Sequence, residues 1–229
     1  MAAGKAFSKE YFLPMSFDLL APHYRWLERI LAGDKLQRCR TAFLHDIPPP
    51  RAVLLIGEGN GRCLEALLRV WPTAQFTCVD ASVRMLECAR ARLSAQGLDL
   101  AAVRFIHADV LEWTPPSGHF DLVVTNFFLD CFRADQLAAL VPRLAQSAKP
   151  DAHWLLADFC EPPAGLAKWR ARLILQAMYI FFRVVTRLPA TRLTPPDSFL
   201  RQGGFGLRQR RMFEWGLLHS DLWERLDGE

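Results

Sequence analysis

The sequence predicts an α/β protein: a doubly wound, mostly parallel sheet with an antiparallel C-terminal hairpin, plus N-terminal helices. Three observations lead there. Between Ala52 and Ala157, short apolar strand-like runs alternate with helical periodicity, the rhythm of a parallel sheet crossed by helices. The first of these runs, Ala52 to Ile56, is apolar without interruption, as a strand covered on both faces must be. Near the end of the chain, two strand-like runs, Leu207 to Phe213 and Leu217 to Leu226, flank Gly216 and read as a hairpin at the sheet edge.

The elements follow in order. Phe17, Leu20, Tyr24, Leu27, Ile30 and Leu31 recur at three- and four-residue steps and predict a helix, and Pro48-Pro49-Pro50 stops any helix before the sheet begins. After the first strand, Gly61 to Val70 reads as a helix and Gln75 to Val79 as a strand. Ser82 to Gln96 is a helix with Ser82 as its N-cap and Gly97 behind it. Val103 to His107 and Phe120 to Thr125 are strands, Ala134 to Ala148 a helix, and His153 to Ala157 a fifth strand. Ala164 to Leu188 reads as one long apolar helix stopped by Pro189, and a short helix after Pro195-Pro196 ends at Gly203-Gly204.

At 229 residues, with 51% apolar and 23% charged, the chain suits one globular domain with a large core. It divides into three sections, 1–50, 51–160 and 161–229. The net charge of +4 is mild but uneven: residues 165–211 hold ten Lys or Arg against one acid, Asp197. The six cysteines form no C-x-x-C pair and the histidines no H-x-x-x-H, so no metal site is expected. Scattered thiols suit a reducing compartment. No apolar leader segment stands between Met1 and Pro14, and the most apolar stretch, Leu173 to Phe182, is about half the ~20 residues of a membrane span. A cytoplasmic location is therefore expected.

The strongest local signal is Val53-Leu54-Leu55-Ile56-Gly57-Glu58-Gly59-Asn60-Gly61-Arg62, a strand entering a glycine-rich turn and then a helix. Such glycines let the backbone turn sharply and a ligand lie against it. Asp80, nineteen residues after Gly61, ends the second strand, where a carboxylate can accept both hydroxyls of a ribose. Asp109 ends the third strand, where it and the next backbone N–H can address an adenine edge. A dinucleotide fits poorly. Its pyrophosphate wants G-x-G-x-x-G and a helix N-terminus free of negative charge, whereas the third glycine here comes one residue early and Glu58 lies between the glycines. Glu58 would suit a cationic amino group.

In order and spacing, these glycines, Val79-Asp80-Ala81-Ser82-Val83-Arg84-Met85-Leu86, His107-Ala108-Asp109-Val110 and Phe120-Asp121-Leu122-Val123 resemble the class I S-adenosylmethionine-dependent methyltransferases. Phe17-Asp18-x-x-Ala21-x-x-Tyr24 and Asp158-Phe159-x-x-Pro162 are similar to segments of the ubiquinone/menaquinone-biosynthesis group within them. The resemblance implies a Rossmann-like fold and S-adenosyl-L-methionine as cofactor. It places Gly57, Glu58, Gly59, Asn60, Gly61, Asp80, Ala81, Ser82, Met85, Asp109, Val110 and Asn126 around that cofactor. Leu55 stands where the family usually has an acid, so Glu58 is expected to take the contact with the methionine ammonium. The sections then read as a helical cap (1–50), a cofactor-binding core (51–160), and a lid helix with the terminal hairpin (161–229).

Methyl transfer needs acceptor, methyl and sulfur in line, with a group to take the acceptor's proton where one is lost. Asp130, just past the fourth strand, is the acceptor-side candidate, against the plainer role of capping the next helix. Tyr24 and His23 could close the pocket from the N-terminal helix. His219 reads as an exposed strand histidine, with an acceptor-facing role as the alternative. The long basic-ended helix is either core or a lid over a hydrophobic acceptor, resting on an anionic membrane surface through residues 165–211. A small apolar or aromatic acceptor is the leading expectation. RNA or protein methylation, a non-catalytic cofactor-binding partner and a nicotinamide oxidoreductase are the alternatives. Nucleic acid is disfavoured, since the basic residues are interleaved with aliphatic ones and no N-P-P-Y-like tetrapeptide follows the fourth strand.

Overall fold

In the computed structural model, which describes residues 34–186 and 190–226, the alternation is realised nearly as read. The elements are α1 (Lys35–Arg40), β1 (Ala52–Ile56), α2 (Arg62–Val70), β2 (Gln75–Asp80), α3 (Val83–Ala95), β3 (Val103–His107), β4 (Phe120–Asn126), α4 (Ala134–Ser147), β5 (Ala148–Phe159), α5 (Gly165–Thr186), α6 (Asp197–Gln202), β6 (Phe205–Phe213) and β7 (Leu218–Arg225). The helix expected over Phe17 to Leu31, with His23 and Tyr24, lies outside the described residues.

The seven strands form one sheet in the order β3-β2-β1-β4-β5-β7-β6. β3, β2, β1, β4 and β5 are parallel, while β7 runs antiparallel to both β5 and β6. The apolar run of β1 is sorted by the pleat. Leu54 and Ile56 join one core with Leu137, Leu140 and Leu144 of α4. Val53 and Leu55 join the other with Leu64, Leu67 and Leu68 of α2. Each such side chain contributes about 1.5–3 kcal/mol on full burial, which is why a strand in this position tolerates no polar residue.

β1 pairs with β2 on one side and β4 on the other, so the strand order reverses there and a crevice opens at the C-terminal strand ends. Gly57 follows β1 into that crevice and Phe127 follows β4. Phe127 has a left-handed φ of 52°, costly for a bulky residue and of the kind found at ligand-facing positions.

β5 is longer than expected. It starts at Ala148, directly after α4, and its register against β4 shifts between Phe120 and Leu122. Lys149 fastens this early part through a 2.6 Å ion pair to Asp121. At the tip between β6 and β7, Glu214 and Trp215 take left-handed φ values of 50° and 58° before Gly216. Among the described residues, no helix is long and apolar enough to cross a membrane, and no group of three or more His, Cys, Asp or Glu could hold a metal ion.

Candidate active site

The glycine loop is built as its sequence requires. Gly57, Gly59 and Gly61 all have positive φ, at 64°, 67° and 81°. A Cβ on Gly57 would lie 2.1 Å from the Phe128 ring, and one on Gly61 would lie 2.9 Å from the Ala89 backbone, so both are held by packing as well as by conformation. Nothing lies within 4 Å of the equivalent position on Gly59, which leaves space for a ligand to approach.

Glu58 Oε1 accepts from the backbone N–H groups of Cys63 (2.7 Å) and Leu64 (2.9 Å), in the first turn of α2. Through Oε1 the carboxylate caps the helix and meets its positive end. The same bond accounts for the misfit of a diphosphate: the seat at the α2 N-terminus is filled by the chain's own carboxylate.

Asp80 joins two segments. Its Oδ2 accepts from Gly59 N (3.2 Å) and its Oδ1 from Ser82 N (2.8 Å), which fixes the carboxylate between the loop and α3. Ser82 caps α3 as expected, accepting from Met85 N at 3.1 Å. Met85 and Val110 are buried. Asp109 is exposed beyond β3, its Oδ1 accepting from Leu111 N at 2.9 Å. Asn60 is buried, with its carbonyl accepting from Arg92 Nε. Asn126 faces inward: its amide donates to Cys63 Sγ (3.2 Å) and its Oδ1 accepts from Ala157 N (2.9 Å). It ties β4, β5 and α2 together.

On the far side of the crevice lies a second polar group. Asp130 sits in the short 3-10 turn Leu129–Cys131 and does not cap α4, whose N-cap is Arg133 with Gln136 returning the bond. Its backbone N–H donates to Asp158 Oδ2 at 3.2 Å, and the two buried carboxyls hydrogen-bond to each other. Burial raises Asp130 to about 6; burial and the Asp130 charge hold Asp158 well above the usual carboxylate range. Their shared burial opposes the ionisation of both carboxyls at once. The Cys131 thiol, raised strongly by burial, stays protonated and points to Asp130 Oδ1 at 3.6 Å. Tyr179 of α5 donates its hydroxyl to the Asp130 carbonyl at 3.1 Å, pinning the helix over the pair. Phe127, Phe159, Ile174 and Met178 pack around this place.

His219, read as an exposed strand residue, is buried directly opposite Asp158 on β7. Its Nδ1 lies 2.9 Å from Asp221 Oδ1, and Arg210 holds Asp221 through two bonds of 2.7 and 2.6 Å. Burial opposes the Asp221 charge, but Arg210 and His219 keep its carboxyl below the usual range. Asp158, Tyr179 and His219 reach the site from β5, α5 and β7. Asp158 lies in the family-like segment Asp158-Phe159-x-x-Pro162 and His219 was weighed as acceptor-facing, while Tyr179 showed only as a polar break in an apolar run.

A parallel sheet with a glycine loop and Asp80 at its switch point defines a nucleoside-cofactor-binding α/β enzyme. Asp80 stands beside the glycine loop at this crevice, and Glu58 fills the anion seat at the α2 N-terminus. Residues 53–151 match the methyltransferase domain family. Demethylmenaquinone methyltransferase of Thermus thermophilus is 32% identical over 192 residues, covering 83% of this chain and 78% of that protein. Trans-aconitate 2-methyltransferase of Rhodopseudomonas palustris is 40% identical over 95 residues, covering 41% of this chain but 34% of its own length. Two solved structures share the fold. An O-methyltransferase family protein from Burkholderia thailandensis has a TM-score of 0.66 at 19% identity, over 95% of this chain and 65% of that one. Human N-acetylserotonin methyltransferase in complex with S-adenosylmethionine has a TM-score of 0.64 at 16% identity, over 92% and 57%. The chain belongs to the class I S-adenosylmethionine-dependent methyltransferases.

Proposed function

We propose that the protein methylates a small apolar or aromatic acceptor held between the C-terminal ends of β4 and β5 and the inner face of α5. The observation that carries this is the aromatic and aliphatic surround of Phe127, Phe159, Ile174 and Met178, closed over the buried Asp130–Asp158 pair. The cofactor supplies the electrophilic methyl group. Gly57, Gly59 and Gly61 let its tail approach the backbone, Asp80 receives the ribose hydroxyls, and Asp109 with Val110 N–H addresses the adenine. Ala81, Ser82 and Met85 line the same side, while Glu58, Asn60 and Asn126 hold the loop in shape. Asp130 takes the acceptor's proton.

In this reading the whole chain is one domain, with residues 1–50 as cap, 51–160 as cofactor core and 161–229 as lid and hairpin. It works in the cytoplasm, with peripheral membrane contact through residues 165–211. Incubation with methyl-labelled cofactor and a panel of quinols, phenols, thiols, amines and carboxylic acids is the test. Label is expected on a phenolic or quinol acceptor. Transfer to RNA or protein alone would overturn the acceptor class.

A further inference from the structure

The acceptor cleft uses only one side of α5. The other side carries Leu166, Trp169, Leu173, Ile180 and Val184, which are 88, 66, 66, 65 and 79% exposed. At 100° per residue these positions fall within one narrow stripe, which runs about 27 Å along the 22-residue helix from Leu166 to Val184. Half a turn round, Ala171, Leu175 and Tyr179 are buried. Beside the N-terminal half, the β6–β7 tip adds Trp215, also 79% exposed. The left-handed backbone of Glu214 and Trp215 holds that indole outward, and Arg170 lies 5.5 Å over its ring while donating to the Glu214 carbonyl.

The charge around this stripe is one-sided. α5 contains Lys168, Arg170, Arg172 and Arg183 and no acid. The nearby acids are engaged, Glu161 by Arg172 (3.0 Å) and Lys168 (3.5 Å) and Glu214 by Lys35. A second copy of this chain laid on the same face would set four cations against four. A surface rich in lipid phosphate would instead be attracted, and indoles favour the level of the headgroups. An apolar stripe this long, left uncovered on a soluble surface, is a docking feature.

We propose that the outer face of α5, extended by Trp215, is the surface on which the protein docks to an anionic lipid bilayer. The arginines lie at phosphate level, and Leu166, Leu173, Ile180 and Val184 enter the acyl boundary. This rests on the peripheral contact proposed above and assigns it to one face. It also sets the bilayer against the helix that covers the acceptor cleft, the geometry suited to an acceptor dissolved in lipid.

Co-sedimentation with vesicles of phosphatidylcholine, with and without phosphatidylglycerol, tests it on the full chain. The protein should bind the anionic vesicles at least about tenfold more tightly than the neutral ones, and high salt should release it. Leu173→Glu with Ile180→Glu should lower that binding at least about tenfold. Cofactor affinity by calorimetry and the circular dichroism melt should stay unchanged, since both positions face solvent. If the double variant binds the vesicles as the wild type does, the peripheral contact stands but this face is refuted. If the wild type binds neither vesicle, both fall. A dimer in light scattering that the double variant dissolves would make a second copy the occupant and overturn the proposal. Vesicle binding that appears only after removal of residues 1–33 would overturn it as well, making that segment the occupant.

Discussion

Asp80 accepts backbone N–H groups from two segments that sequence keeps apart, the glycine loop at Gly59 and the start of α3 at Ser82. Loss of its carboxylate should therefore remove a ligand contact and loosen the loop together. Asp80→Ala is expected to weaken S-adenosylmethionine binding at least tenfold, or roughly 1.5–3 kcal/mol, in calorimetry; an unchanged affinity would free this residue from the cofactor. Asp130 invites a different measurement. If it takes the acceptor's proton it must be ionised, so kcat/KM should rise with pH through about 6, and Asp130→Asn should abolish that limb along with most turnover. The stability effect has the opposite slope. The folded-state value lies above the unfolded one, so the native state binds this proton more tightly. The contribution is full below the unfolded carboxylate range and is lost as pH rises through about 6. Urea unfolding at pH 5 and pH 8 should show a smaller difference for Asp130→Asn than for the wild type.

Among the elements, α5 is the one whose two sides make separable predictions. Leu175 is buried against α1 and the sheet, so Leu175→Ala should cost about 2–5 kcal/mol in urea unfolding. Leu173→Ala, on the outer stripe, should stay within about 0.5 kcal/mol. Equal costs would mean the helix is rotated. The sequence showed that this helix existed but left open which side was core, because apolar residues occupy most of its circumference. Strand and helix positions from Ala52 to Phe105 were legible because period and punctuation agreed there: a covered strand, three glycines, a Ser82 cap. The early start of β5 was not legible, because Pro150 and Asp151 interrupt the apolar pattern before His153, although Lys149 and Asp121 hold the segment in the sheet. Asp80 ends β2, while Asp109, read as ending the third strand, lies two residues beyond β3. The pairing of Asp130 with Asp158 depends on which strands become neighbours across 28 residues, and no local pattern carries that, whereas His219 and Asp221 share one face of β7 at i and i+2.

For the molecule as a whole, one sheet runs unbroken from β3 to β6, with helices packed on both faces, so ligand binding at one strand end should be felt in the global transition. S-adenosylmethionine at a hundred times its dissociation constant should stabilise the fold by about 2.7 kcal/mol. NAD at the same concentration should leave the melting temperature where it was, and a rise with NAD would contradict the cofactor assignment. The charge of the whole is also uneven, since residues 165–211 hold a formal +9 within a chain of +4. Salt should therefore alter surface binding far more than it alters folding.

Glu58 also makes the α2 N-terminus a case of competition between a tethered ligand and free ones. Its carboxylate is five and six residues from the amides it meets, so its effective concentration there is at least about millimolar and does not change with the medium. Phosphate or sulfate in solution has to displace it and gains little by doing so. In Glu58→Ala the tethered anion is gone and the helix end becomes exchangeable. The variant's melting temperature should then climb with added sulfate while the wild type's stays flat at low concentrations, turning a fixed cap into an ion sensor.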